Sequence, residues 1–105
     1  MIFKKEKVEI EIKDLTTRTL GKFLHLSGVT YEMLLNPQEM LKSIFGLVDK
    51  CYEAAIELKL IVSIKIDGNI VDFDTFDSEG SNFLYVSEMM IEYINSNLNG
   101  QKKTI

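Results

Sequence analysis

Histidine, cysteine and arginine are nearly absent from this 105-residue chain, in which His25, Cys51 and Arg18 are the single examples. One cysteine cannot form an internal disulfide bond, and one cysteine with one histidine cannot build a Cys/His zinc site. A nucleophilic Ser or Cys needs a nearby base, and His25 is the only histidine that could serve. We therefore interpret His25 and Cys51 as structural residues, and we predict that the protein is not an enzyme.

Glycine-rich loops and basic surfaces are also missing. The six glycines are scattered, so no phosphate-binding loop precedes a helix and no cofactor is predicted. Twelve Lys and Arg residues stand against 16 Asp and Glu residues, which gives a net charge of −4. Because nucleic-acid binding normally requires a basic surface, we expect no direct contact with DNA or RNA.

Long apolar runs are absent as well. No stretch approaches the roughly 20 apolar residues that cross a bilayer. The segment after Met1 carries Lys4-Lys5-Glu6-Lys7 where a secretory signal would be apolar. These features predict a cytoplasmic protein with no membrane contact.

What the chain has in excess is apolar residues, which make up 46% of it. A single domain of this length buries roughly 60–70% of the surface that the unfolded chain exposes. Part of the apolar surface is therefore expected to stay outside, where a partner protein or a second copy of the chain would cover it.

Period-two alternation predicts three strands. The first covers residues 7–13, where Val8, Ile10 and Ile12 alternate with charged residues. The other two, Ile61–Ile66 and residues 69–75, flank Asp67-Gly68, a pair typical of a type I′ hairpin turn. The expected pairs are Ile64–Val71 and Val62–Phe73 on one face, with Lys65–Ile70 and Ser63–Asp72 on the other.

Three helices are predicted at residues 15–27, 36–59 and 81–98, with one more helical turn at 30–35. Asp14 is the expected cap of the first, and Gly28 is placed to end it in the left-handed conformation. Asn36 and Pro37 have the pattern of an N-cap followed by the first helical position. The expected inner residues are Leu20, Phe23 and Leu24 in the first helix; Met40, Ile44, Leu47, Val48, Cys51, Ala55 and Leu58 in the long one; and Phe83, Val86, Met90, Tyr93 and Ile94 in the last.

The element order β-α-α-β-β-α predicts a small single domain of the α+β class over residues 1–100, followed by a flexible C-terminal tail at 101–105. Its three-stranded sheet, including the β-hairpin, would pack on one face against the long central helix and the C-terminal helix. The docking position of the first strand stays open. A dimer whose strands pair across subunits satisfies the same pattern.

Five acidic residues and no base lie between Ile66 and Gly80. A solvated surface, contact with a basic partner and a metal site are the three interpretations. The spacing is not that of an EF-hand, and no metal site is predicted. This acidic segment consists of Asp67, Asp72, Asp74, Asp77 and Glu79.

Two sets of apolar residues are expected to remain exposed. The helix strip lies away from the inner side of the last helix and consists of Leu84, Glu88, Ile91 and Asn95. The hairpin set, on the face shared with Lys65, Asp72 and Asp74, consists of Ile61, Ile70 and Phe76. We predict contact with a protein partner through ten residues of these surfaces: Leu84, Glu88, Ile91, Ile61, Ile70, Asp72, Asp74, Phe76, Asp77 and Glu79.

The leading hypothesis is a non-catalytic interaction protein, such as an adaptor, assembly chaperone or inhibitor, with a homodimer as one form of it. The alternative is an acidic decoy that inhibits a nucleic-acid-handling protein, as a small phage-encoded accessory or anti-defence protein would. An enzyme that uses Asp and Glu alone is the third hypothesis, and the sequence shows no acid pair to support it.

Overall fold

The structure is a computed structural model that describes residues 1–102, with side chains for residues 1–97 except positions 31, 34, 37, 40, 41, 44 and 45. The strands β1 to β4 are Ile2–Lys5, Val8–Ile12, Ile61–Ile66 and Asn69–Val71. The helices α1 to α5 are Thr17–Ser27, Tyr31–Leu35, Pro37–Glu57, Phe73–Asp77 and Phe83–Lys102, and a 3-10 turn at Gly80–Asn82 precedes α5. The predicted α+β class is confirmed.

The sheet of the described chain has four antiparallel strands in the order β1-β2-β3-β4, so the prediction of three strands was wrong. The missed strand β1 folds back on β2 through Glu6 and Lys7, with Phe3 opposite Ile10. Its apolar signal is short because charged residues follow Phe3 directly, and burial of Phe3 in the core is what holds the strand. The strand predicted at 7–13 is therefore paired on both sides within one chain.

The β3–β4 hairpin has the predicted register only next to its turn. Ile64 pairs with Val71 and Lys65 with Ile70, as expected. The predicted Val62–Phe73 and Ser63–Asp72 pairs were wrong, because the chain leaves the sheet after Val71 and enters α4. Asp72 caps this helix by accepting a hydrogen bond from the Thr75 amide at 2.7 Å.

A β-bulge at Val62 interrupts the alternation of inward-facing and outward-facing side chains along β3. Glu11 pairs with Ser63 and Ile12 pairs with Ile61, so Val62 is the extra residue. The bulge turns Ile61 into the core and leaves Val62 exposed. The expectation that Ile61 lies on the outer face was wrong for this reason.

The helix caps mostly follow the prediction. Gly28 ends α1 with φ of 78°, and Asn36 caps α3 ahead of Pro37. However, α1 is capped by Thr16 and not by Asp14. The backbone amide of Leu15 donates to Asn97 Oδ1 on α5 at 2.7 Å, which keeps Leu15 outside the helix.

One core joins the inner face of the sheet to α1, α3 and α5. Phe23 on α1 is buried, and Leu20 and Leu24 pack against the core. Along α3 the expected Val48, Cys51 and Ala55 are buried and Leu47 and Leu58 are half-buried, whereas Met40 and Ile44 lie outside the described side chains. Four of the five inner residues predicted for α5 are confirmed: Val86, Met90, Tyr93 and Ile94.

The boundaries of α5 differ from the prediction. Phe83 was wrongly placed inside, since it begins the helix and is 48% exposed. Asn82 takes the inward position and donates to the Phe76 carbonyl at 2.8 Å. The helix continues to Lys102, past the predicted end at residue 98. Of the tail predicted at 101–105, residues 103–105 lie outside the described part.

Candidate functional site

Neither of the two candidate nucleophile or base residues has the environment of a reactive group. Cys51 is fully buried in the core, and burial raises the pKa of its thiol to about 11 despite a hydrogen bond with Ser27. The thiol is therefore protonated at neutral pH. His25 lies exposed in the last turn of α1.

The acidic segment is spread over three local structures. Asp67 occupies the β3–β4 turn with φ of 53°, and Asp72 caps α4. Asp77 accepts a hydrogen bond from the Tyr52 hydroxyl at 2.7 Å, which ties α4 to α3. Across the described residues, no three His, Cys, Asp or Glu side chains are grouped in a way that could hold a metal ion. All five acidic residues are exposed to solvent.

The residues predicted to be exposed and apolar divide between the surface and the core. Ile70 is 73% exposed and Leu84 is 70% exposed, as expected. Ile91 is half-buried and packs against the core. Phe76 is buried, so its expected exposure was wrong, because α4 turns it under the domain where the prediction had a strand.

The helix strip is partly engaged by the strand that the sequence did not reveal. Lys5 of β1 places its Nζ 2.6 Å from each carboxylate oxygen of Glu88. Beside it, the Tyr85 hydroxyl donates to Glu6 Oε2 at 2.7 Å. Glu88 is thus part of an internal ion pair, and Leu84 is the apolar residue of the strip that remains open.

Three exposed apolar side chains meet where β4 ends, and we call them the sheet-edge patch: Val62, Ile70 and Phe73. They line an open groove of about 310 Å³ together with Ser63, Ile64, Val71 and Asp72. Val62 is 50% exposed. The prediction had Val62 and Phe73 as an inward-facing pair. The signal that would have corrected it is Asp72 three residues before Thr75, a helix-capping spacing.

One acidic residue lines the sheet-edge patch, and another follows it in the chain. Asp72 lines the groove, and hydrogen bonds from Thr75 lower the pKa of its carboxyl. Asp74 follows in the first turn of α4. The nearest base along the hairpin is Lys65, whose Nζ lies 3.8 Å from Glu9 Oε2 across the sheet. The site is therefore an apolar groove with the carboxylate of Asp72 at its rim.

In the part of the chain that the structure describes, no helix is long and apolar enough to cross a membrane. No family model, no curated protein and no solved structure matches the chain.

Proposed function

We propose that this chain is a non-catalytic protein-interaction domain, working as an adaptor, assembly chaperone or inhibitor, and that it contacts its partner through the sheet-edge patch. The observation that carries the proposal is the gathering of Val62, Ile70 and Phe73 around one groove. Single exposed apolar residues are ordinary on protein surfaces. Three that share a concave site are typical of a binding surface.

The free energy available from burying apolar side chains supports the sheet-edge patch as the contact surface. Each large aliphatic or aromatic side chain that passes from water to a buried site contributes about 1.5–3 kcal/mol. The patch therefore offers several kcal/mol to a partner that fills the groove. The thiol of Cys51 is buried and His25 lies exposed on α1, so we base the proposal on the apolar groove and not on these two residues.

The experiment compares two variants as bait in cells of the native host. The first is the double substitution Val62→Ser with Ile70→Thr, which removes apolar surface from the patch and leaves the core intact. The second, Leu84→Ser, is a matched control because Leu84 is about as exposed as Ile70 but lies on α5. Quantitative mass spectrometry then identifies captured proteins.

We expect a set of proteins to be retained by the wild type and by Leu84→Ser and lost from the double variant. Circular dichroism must show that both variants keep their fold. If Leu84→Ser alone loses the captured proteins, the interface lies on α5. If both variants capture what the wild type does, the exposed apolar residues are not a binding surface.

The second candidate function is the acidic decoy of a nucleic-acid-handling protein. It is supported by the exposure of all five residues of the acidic segment to solvent. In that case a captured partner would bind DNA or RNA, and nucleic acid would compete with this chain for it. Exposed charges are screened within about 10 Å at 0.1 M salt, so affinity would fall steeply as salt is raised.

A further inference from the structure

Within the described residues, the first half of strand β3 has no neighbouring strand on the side where β4 pairs with its second half. β3 extends over Ile61–Ile66, and β2 pairs with every residue of it except the bulged Val62. β4 covers only Ile64, Lys65 and Ile66. The segment Ile61–Ser63 is therefore a sheet edge, although β3 is a central strand for the rest of its length.

The chain itself does not fill this edge. After Val71 it turns away into α4, and the groove lined by Val62, Val71 and Phe73 opens at the place where a longer β4 would have run. A strand edge with adjacent apolar pockets is the arrangement that accepts an added strand. Backbone hydrogen bonds then supply affinity, and alternate side chains supply specificity.

We propose that the edge at Ile61–Ser63 receives an extended segment of a partner protein as an added β-strand, and that this segment alternates apolar and basic residues. The inference rests on the proposed function and specifies its partner and binding mode. Because side chains alternate between the two faces of a strand, one set would lie beside Val62 and Ile70 on the open face. The other set would lie toward the start of α4.

The charge at the groove decides the composition of the incoming strand. Asp72 and Asp74 stand at the start of α4, and Asp67 lies in the turn at the other end of β4. An incoming Lys or Arg would meet the carboxylate of Asp72, which accepts a hydrogen bond from the Thr75 amide, and that of Asp74, whereas Glu or Asp would be repelled. The side of the incoming strand that contacts Val62 and Ile70 is expected to be apolar, because these two exposed side chains are apolar.

Two modes of self-assembly compete for the same edge, and both are disfavoured by what surrounds it. A symmetric dimer through this edge would bring Asp72 and Asp74 of one copy toward the same residues of the other. Pairing this edge with β1 of another copy is a head-to-tail contact that would produce a ring or an open filament, and Lys4 and Lys5 protect β1 against such pairing. A different protein is therefore the occupant we infer.

The test uses 15N-labelled protein and three short synthetic peptides. The first alternates lysine and valine, the second alternates glutamate and valine, and the third has the composition of the first with its lysines and valines in separate blocks. We expect the Lys/Val peptide to bind at least about tenfold more tightly than either of the others. Its amide shift changes should centre on Ile61–Ser63 and on Ile70 to Phe73.

Variants connect this binding to the groove. Asp74→Lys should lower the affinity for the Lys/Val peptide severalfold. Its matched control is Glu53→Lys, which makes the same change in net charge on the exposed side of α3. The double variant Val62→Ser with Ile70→Thr should lower the affinity for the same peptide, while Leu84→Ser should leave that affinity unchanged. Equal effects of Asp74→Lys and Glu53→Lys would mean that the peptide responds to net charge alone.

The inference is overturned if the Lys/Val peptide does not bind, if all three peptides bind equally, or if the shifts lie away from the groove. It is also overturned if sedimentation velocity shows that the wild type self-associates and that Ile70→Thr abolishes the association. Loss of captured cellular proteins from the double variant, with no peptide binding, would leave the proposed function standing and remove only the added strand.

Discussion

The two edges of the sheet differ in how they meet solvent. The β1 edge carries Lys4 and Lys5 and is followed by Lys7, and charged side chains of this kind are a common protection against pairing with other strands. The opposite edge has a short β4 whose outward residue is Ile70, and beyond it an unpaired stretch of β3. This contrast between a lysine-rich edge and an apolar edge supports our proposal that the β4 edge binds a partner.

The β1 edge is also tied to the rest of the fold. Lys5 reaches Glu88 on α5, and Glu6 accepts a hydrogen bond from Tyr85. At the β4 edge the corresponding contacts are made by α4, which Tyr52 holds through Asp77. The contacts at β4 draw the chain off the sheet, whereas those at β1 hold the strand in place.

The largest expected effect comes from removing the anchor that draws the chain off the sheet. Phe76→Ala should lower the free energy of unfolding by about 3–5 kcal/mol, since Phe76 is fully buried and leaves a cavity. Phe73→Ala, three residues earlier on the same helix, should cost about 1 kcal/mol or less. Urea denaturation of both variants measures the difference. Equal losses would mean that Phe76 does not anchor α4.

A smaller loss of stability is expected when the N-cap of α4 is removed. Asp72→Ala deletes the acceptor for the Thr75 amide and should lower the melting temperature, whereas Asp72→Asn keeps an acceptor and should restore most of it. The native pKa of Asp72 is lowered from 3.8, so the stability that its charge adds is present above that pH and lost as pH falls below it. Thermal melts at neutral and acidic pH should show wild type and Asp72→Asn converging in acid. A constant gap would contradict the hydrogen-bonding role of the charge.

Replacing a lysine of β1 with an apolar residue should make the β1 edge as open to strand pairing as the β4 edge. Lys4→Val places an apolar, β-branched residue on an exposed edge strand, and we expect concentration-dependent self-association by light scattering. Lys42→Val is the control, because it makes the same change in charge and apolar area on the exposed side of α3. Equal association of both variants would show that apolar area matters and edge position does not.

The smallest effect concerns the ion pair that ties β1 to α5. Lys5→Met keeps the aliphatic stem and removes the charge near Glu88, and both side chains are about half exposed. Such pairs contribute about 0.2–1 kcal/mol, and the loss should shrink as salt is added. Lys7→Met, in the β1–β2 turn, should change stability less. A salt-independent loss would point to packing of the Lys5 stem.

Local signals were sufficient for most elements and insufficient for the candidate site. The caps at Gly28 and Asn36 and the turn at Asp67-Gly68 depend on neighbouring residues, and all three are confirmed. The sheet-edge patch depends on where β4 ends, which the alternation of residues 69–75 misrepresents. Period-two alternation continues through Phe73, while burial of Phe76 and the Asp72 cap favour a helix there.

The sequence by itself determined the α+β class, the long helix and the hairpin turn, because each follows from periodicity or from the conformational preference of a few adjacent residues. Only the tertiary structure decided that β1 joins the sheet, that Val62 bulges and that Ile61 and Phe76 lie inside. These outcomes depend on how a shared core is filled, since each apolar side chain competes with residues far away in sequence for the same interior volume.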